Sequence, residues 1–292
     1  MKTLEKLRDK LNKNAELSGQ EKETNKILNK FLEKTNPDIH YKNVGGYGIV
    51  AIYKGLEKGK NILLRADIDA LPLQEDRDRE YCSKNDGVMH ACGHDFHAAM
   101  LLTAAKMLKE NEDALEGTVK FMFQPAEETV GGADQMIKDG CMEGPAVGAV
   151  LAFHVAPYLP TGTIEFCRGK MNAATCDLNI EVEGVSCHGA HPEGGIDAIV
   201  VGAQIVTGLQ SIISRNLSPT NSGIITIGTF HAGTKDNIVA GYARLSGTLR
   251  ALDPVTMNTL KTRVKELAAQ LSEEYAGKNP IFVGVLKGVV MF

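Results

Sequence analysis

The sequence predicts an α/β protein, a mostly parallel sheet flanked by helices, with a second and smaller α+β unit following it. Three observations predict this. Up to Asn172 the apolar segments alternate as strand, helix, strand, helix, strand, the rhythm of a parallel sheet. From Ala173 to Val285 the order changes to β-α-β-β-α-β, a compact unit able to fold as an insertion. Acids and imidazoles stand at the ends of the strand-like runs of the first part, where an α/β sheet puts its ligand-binding groups. The expected boundaries are therefore 1–172, 173–285, and 286–292 as the start of a return to the first domain.

Leu4, Leu7 and Leu11 recur at helical spacing, and Ser18 is placed to cap a second helix running through Ile27, Leu28, Phe31 and Leu32. From Val44, glycine punctuation gives way to the β-rich run Ile49 to Tyr53; no helix follows, so its Gly-x-Gly is no nucleotide loop. Asn61 to Asp69 reads as a buried strand ending in acids and stopped by Leu71-Pro72. Ala98 to Lys109 sets Leu101, Leu102, Ala105 and Leu108 on one helix face, with Asp95 placed as its cap. Val119 to Gln124 is another strand, a short helix carries Met136 and Ile137, and Ala146 to Val155 is a third buried strand. In the second unit Asp177 to Glu183 alternates like a half-buried strand, and Ile196 to Ser214 is an amphipathic helix. Gly223 to Phe230 and Ile238 to Arg250 are strands joined by a polar turn, Pro254 opens a helix through Leu271, and Ile281 to Val285 is the last strand.

At 292 residues the chain suits two domains of ordinary size, and 43% hydrophobic with 23% charged residues describes a soluble globular protein. The net charge of −4 and scattered Lys and Arg offer nothing to nucleic acid. The charged start lacks the apolar core of a signal peptide, and no run approaches membrane-spanning length. Six cysteines without a disulfide-framework spacing indicate reduced thiols and a cytoplasmic protein.

The chemistry concentrates in Met89 to His97, where Cys92 and His94 flank Gly93 and can reach one ion from a single tight loop. Glu127-Glu128 terminates the strand after Pro125, holding two like charges together. A nearby dication resolves that conflict, one carboxylate binding it while the other takes a proton from its water as general base. His154 at a strand tip completes a ligand set with Cys92, His94 and Glu128. Asp67 and Asp69 lie two apart on one face, one of them available to orient a ligand imidazole or bridge metals; a surface charge is the alternative for Asp67. His90 and His97 stay open as ligands, supporting groups or surface residues. His188, in a Gly-bounded loop, is a candidate donor to developing oxyanion charge. Thiolate and imidazole favour zinc, and the carboxylates admit manganese, cobalt or nickel. A thiol hydrolase with Cys92 as nucleophile and His94 or His97 as base is the alternative, but it leaves the Glu127-Glu128 pair without a job.

In order along the chain, Arg65 to Pro72, Met89 to Asp95, Phe123 to Glu128, Phe153 to Val155, Cys187 to Pro192 and Gly247 to Arg250 resemble the M20 peptidase and amidohydrolase family. The closest branch holds hippurate hydrolases, N-acyl-amino-acid deacylases and N-acetyl-diaminopimelate deacetylases. The resemblance implies a zinc-peptidase-like catalytic domain with an inserted ferredoxin-like lid that forms a homodimer. It implies two divalent ions on Cys92, His94, Glu128 and His154, with Glu127 as base and Asp69 supporting a histidine ligand. It further implies His188 reaching across the dimer, Asn237 and Arg250 on the substrate carboxylate, and hydrolysis of small N-acyl amino acids. Two departures stand out. Asn12 to Leu17 replaces the branch's His-x-x-Pro-Glu-Leu pattern, at a place expected to lie outside the site. Gly284 to Phe292 does not resemble the family's continuation, and no histidine follows His231. The expectation is a truncated chain lacking strands and one metal ligand, with an inactive metal-binding or dimerising homologue as the alternative role.

Overall fold

A computed structural model describes residues 2–129, 131–275 and 288–289, and the chain divides into two units, Met1–Thr163 and Ile164–Phe292. The first unit opens with α1 (Lys2–Lys13), α2 (Lys22–Leu32), β1 (Ile39–Val44), β2 (Gly48–Lys54) and β3 (Glu57–Asp67). It continues with α3 (His94–Glu110), β4 (Glu116–Gln124), α4 (Gly132–Lys138) and β5 (Ala149–Ala152). The sheet order is β1-β2-β4-β3-β5. β3 runs parallel to β4 and to β5, while β1 and β2 join antiparallel. Because β3, β4 and β5 point the same way, the segments that leave their carboxyl ends emerge along one edge of the sheet.

Burial follows the two-residue period of a strand covered on both faces. Ile49, Ala51 and Tyr53 of β2 join Phe121 and Phe123 of β4 beneath Leu7 and Leu11 of α1, Leu28 of α2 and Leu102 of α3. On the other face Val50, Ile52, Leu63 and Met122 pack against Met136 of α4. β1 was not foreseen; its outer residues are half-buried or exposed, and pairing with β2 rather than its own hydrophobicity holds it. The expected buried strand at Ala146 to Val155 is shorter, and all four residues of β5 are exposed. β5 is the edge of the sheet, paired only with β3 among the described residues.

Two caps differ from expectation. Ser18 does not cap α2; the Glu16 carboxylate accepts from the Glu23 and Thr24 amides instead. α3 begins at His94, with Gly93 in the left-handed region (φ 81°) at its N-cap, so Asp95 lies inside the first turn. Asp95, 1% exposed, accepts from Arg8 Nε at 2.8 Å and Asn12 Nδ2 at 3.1 Å. Arg8 also lies over the Phe96 and Tyr81 rings. α1 thereby fixes the start of α3.

The second unit contains β6 (Ala174–Glu183), α5 (Ala198–Asn216), β7 (Gly223–Ala232), β8 (Tyr242–Ala251), α6 (Pro254–Glu274) and β9 (Gly288–Val289). Its sheet order is β7-β8-β6-β9 with every neighbouring pair antiparallel, the ferredoxin-like arrangement. Alternate residues of β6, Cys176, Leu178, Ile180 and Val182, meet Val201, Ile205 and Leu209 of α5 and Leu260 and Val264 of α6. Asp197 caps α5 and Asp253 caps α6, with Pro254 in the first turn. Contrary to the sequence expectation, α5 is long and apolar enough to cross a membrane, yet one of its faces is buried in this core. The expected strand Ile281 to Val285 lies outside the described residues.

Removing Arg8 leaves the buried Asp95 carboxylate with two neutral donors, Asn12 Nδ2 and the Phe96 amide, and no positive charge in contact. Arg8→Ala is expected to lower unfolding stability by about 3 kcal/mol, read by urea denaturation. A loss within the noise of a surface substitution would show that the pair does not secure α3.

Candidate metal centre

The carboxyl ends of β3 and β4 deliver the acids. Asp67 is the last residue of β3 and pairs in register with Gln124, the last of β4. Asp69 follows two residues later, while Pro125-Ala126 carries the chain from β4 to Glu127 and Glu128. The first turn of α3 brings His94 between them. His94 Nδ1 lies 3.2 Å from Asp69 Oδ1, and His94 Nε2 lies 3.6 Å from Asp67 Oδ1, 3.9 Å from Glu127 Oε2 and 3.7 Å from Glu128 Oε1.

Behind these groups stands a buried layer. Asp67 is 2% exposed, which excludes the surface-charge alternative. It is held by Arg65 Nη1 at 2.7 Å and by His97 Nδ1 at 2.5 Å. His97 Nε2 accepts the Val155 amide at 2.9 Å, so the His97 proton sits on Nδ1 and points to Asp67. With both ring nitrogens engaged, His97 cannot serve as the base of a thiol mechanism. The Val155 carbonyl lies 2.8 Å from His154 Nδ1, which makes that nitrogen the donor and leaves Nε2 its lone pair. His154 Nε2 is 3.2 Å from Cys92 Sγ. One peptide residue thus orients two imidazoles. Gly93 is required here twice over, since its φ is positive and a Cβ would come within 2.5 Å of Val155 Cγ2. His90 is buried with neither ring nitrogen hydrogen-bonded, and burial pushes it down to about 4.

The electrostatics follow from crowding four carboxylates around one imidazole. Burial alone would lower the His94 pKa, but the Asp69 hydrogen bond, the Cys92 sulfur and the charges of Asp67 and Asp69 push it up to about 11. Asp67 is raised by burial yet pulled down to about 2 by His97, His94 and Arg65. Glu127 goes the other way, raised by burial and by the Asp67 and Glu128 charges.

These residues fit a divalent cation. His94 Nε2 and Glu128 Oε1 are buried, face one another and have no hydrogen-bond partner. Cys92, His94 and His154 form one group of mutually close donors, and His94, Glu127 and Glu128 another, with His94 shared. Thiolate, imidazole and carboxylate are the donors of catalytic zinc-type sites. The inner wall is buried whereas Cys92 and Glu127 are half-buried and His154 exposed, so the donors open toward solvent on one side.

The three lid candidates lie in the second unit. His188 bridges Ile238, and the Gly189 amide donates to the Asn237 carbonyl at 2.8 Å, so His188 and Asn237 share one end of the sheet. Arg250 pairs with Thr175 at the other end. Along β8 it stands roughly 26 Å from Tyr242 at the rise of a strand. All three are exposed. One lid does not bring Asn237 and Arg250 to a single carboxylate.

Sequence reasoning missed the turn from Glu16 to Glu21, which, with the Asn12 to Leu17 stretch before it, supports the site from behind. Asn12 holds Asp95, the Ala70 amide donates to Glu16 O, and Ser18 Oγ donates to Asp69 Oδ2 at 2.7 Å. Ser18 seemed a cap because a Ser before a helical period reads as one; only the tertiary fold turns its hydroxyl toward Asp69.

A half-open cluster of thiolate, imidazoles and paired carboxylates at the carboxyl edge of a parallel sheet defines a metallohydrolase. The family model described as Peptidase family M20/M25/M40 matches residues 63–289, and the chain belongs to that family. It is 39% identical over 282 residues to the N-acetyl-L-cysteine deacetylase of Bacillus subtilis, covering 95% of this chain and 67% of the relative. It is 37% identical to the hippurate hydrolase of Campylobacter jejuni, covering 98% of this chain and 73% of the relative. The crystal structure of a Bacillus subtilis dinuclear metal-binding peptidase of the M20 family superposes with a TM-score of 0.79 at 32% identity, over 99% of this chain and 75% of that one.

With His94 at about 11, the metal-free ring carries a proton near neutrality and must lose it before Nε2 can ligate. Metal binding is therefore expected to release protons, and affinity to fall about tenfold per unit of decreasing pH for each proton released. Titration calorimetry in buffers of different ionisation enthalpy reads this directly; a buffer-independent heat would exclude it.

Proposed function

We propose that this chain hydrolyses the amide of small N-acyl amino acids, acetyl, benzoyl or similar, with two divalent ions held by Cys92, His94, Glu128 and His154. The observation that carries the reading is the convergence of Glu127 and Glu128 on the unpartnered His94 Nε2 in a member of this family. The names of two relatives, an N-acetyl-L-cysteine deacetylase and a hippurate hydrolase, supply the substrate class. Zinc suits the thiolate and imidazoles best, with manganese, cobalt or nickel admitted by the carboxylates.

When bound, the ions supply Lewis-acid polarisation of the carbonyl and lower the pKa of water. The rest is done by the chain's own groups. Glu127 accepts the proton of the attacking water and returns it to the departing amine. Its raised pKa suits both directions of that transfer. Asp69 keeps His94 Nδ1 occupied, so that only Nε2 is offered to the site. Asp67 stays ionised behind it.

The lid residues take their roles in a homodimer. Asn237 and His188 at one end of the lid sheet and Arg250 at the other suit two different active sites of a pair of chains better than one. Arg250, a planar donor matched to a carboxylate, is suited to hold the acid end of the substrate. His188 of a second copy donates to the carbonyl oxygen as charge develops there.

Glu127→Gln is expected to retain bound metal and KM within about threefold while kcat on N-acetyl and N-benzoyl amino acids falls by about 10²–10⁴-fold. Turnover surviving the substitution would move the base elsewhere. Arg250→Ala is expected to raise KM by about 10-fold or more, the loss of a charge-assisted bond, with kcat much less affected. An unchanged KM would remove Arg250 from the substrate.

A further inference from the structure

Glu21 is buried, 0% exposed, and sits 105 residues before the Ala126 amide that it accepts. Its Oε1 takes that N–H at 2.8 Å and the Gly19 N–H at 2.9 Å. Ala126 is no ordinary residue to hold. Its φ is 50°, in the left-handed region that an L side chain avoids, and it immediately precedes Glu127. On the far side of Glu127 the Glu128 amide donates to Asp69 Oδ2 at 2.9 Å. The residues on either side of the proposed base are thus each held through their own amide by a carboxylate, Ala126 by Glu21 and Glu128 by Asp69. The same short turn supports both grips, because Ser18 Oγ donates to Asp69 Oδ2 and the Ala70 amide donates to Glu16 O. The turn after Ala126 is tight as well: a Cβ on Gly132 would lie 1.9 Å from Pro125 O.

We propose that Glu21 is a positioning residue for the reaction: its carboxylate holds Ala126 in the left-handed conformation and so aims Glu127 at the site. The carboxylate accepts two backbone amides and hydrogen-bonds to no side chain around His94, so its effect runs through the direction of the Glu127 side chain, and the Glu21→Gln variant separates that from its charge beside Asp69. Displacing a catalytic group by about an ångström is enough to lower turnover on the order of 10²-fold while leaving binding in place. Nothing about the residue type or its helix-start position announces this in the sequence.

The inference rests on Glu127 being the base proposed above, and the experiment separates the two. Wild-type protein is compared with Glu21→Gln, which keeps an acceptor oxygen of the same reach, and Glu21→Leu, which has the bulk without one. Glu21→Gln is expected to keep kcat within about threefold, and Glu21→Leu to lose about 10–100-fold in kcat with KM and metal content unchanged. In the Ala126→Gly background, where the left-handed turn forms without help, Glu21→Leu is expected to cost less than about threefold. Hydrogen exchange at the Ala126 amide gives a readout independent of activity, protected in wild type and in Glu21→Gln and fast in Glu21→Leu. Equal kcat for Glu21→Leu and wild type, equal losses for the Gln and Leu variants, or a fast Ala126 amide in wild type would each overturn the proposal. If Glu21→Leu does not fold, the wild-type exchange rate and the Glu21→Gln kinetics still decide it. Wild-type protein without activity on N-acyl amino acids fails the reading of function, and leaves the exchange result to judge the grip on Ala126.

Discussion

His94 and the carboxylates around it impose the electrostatic condition that the first unit is built to meet. Asp67, Asp69, Glu127 and Glu128 each bring an oxygen within 3.9 Å of one imidazole. Four like charges at that spacing cannot all remain ionised in a partly buried site unless positive charge is placed among them. A proton on His94 supplies part of it in the metal-free protein, and Arg65 supplies more from behind Asp67. A divalent ion supplies it in full, and the two unpartnered atoms, His94 Nε2 and Glu128 Oε1, are the ones it would satisfy. The parallel pairing of β3 with β4 is what makes such crowding possible, since it places two acid-bearing strand ends side by side.

Holding so unfavourable a cluster requires support that does not itself carry more charge into the site, and most of it is backbone. Val155 serves two imidazoles through one peptide N–H and one C=O. The Glu128 amide is tied to Asp69, and Gly93 gives the approach that a side chain would block. Charged support stands further out, in the Arg8–Asp95 pair that fixes α3 to α1.

How much of this was legible follows from what kind of signal each part leaves. Cys92, His94, Glu127, Glu128 and His154 are reactive types at strand or loop ends, so pattern alone singles them out, and the structure brings all five together with Asp69. The second unit's β-α-β-β-α order came through because alternation in β6 and the capped starts of α5 and α6 are local signals. β1 was hidden because its place depends on pairing, and the exposure of β5 was hidden because an apolar run says nothing about which neighbours it has. The roles of Ser18, Glu21 and Asn12 were illegible for a related reason. Each sits at or near a helix end where its type already has a local explanation, while its actual partner is 51, 105 or 83 residues away.

The division between buried and open halves of the cluster then suits Glu127, rather than Asp67, to the role of base proposed for it. Asp67 and Glu127 both approach His94, but their surroundings push them apart. Burial raises Asp67 less than His97, His94 and Arg65 lower it, so it rests near 2 and stays a fixed negative charge. Glu127 has no comparable donor; burial comes first, Asp67 and Glu128 add to it, and its affinity for a proton rises. The fixed charge of Asp67 is thus part of what makes Glu127 basic. A carboxylate that were fully buried beside these neighbours would hold its proton too firmly to give it back, and one fully exposed would not be raised at all. Half-burial at the solvent-facing side of the cluster is the position from which a carboxyl group can take a proton and release it within one turnover.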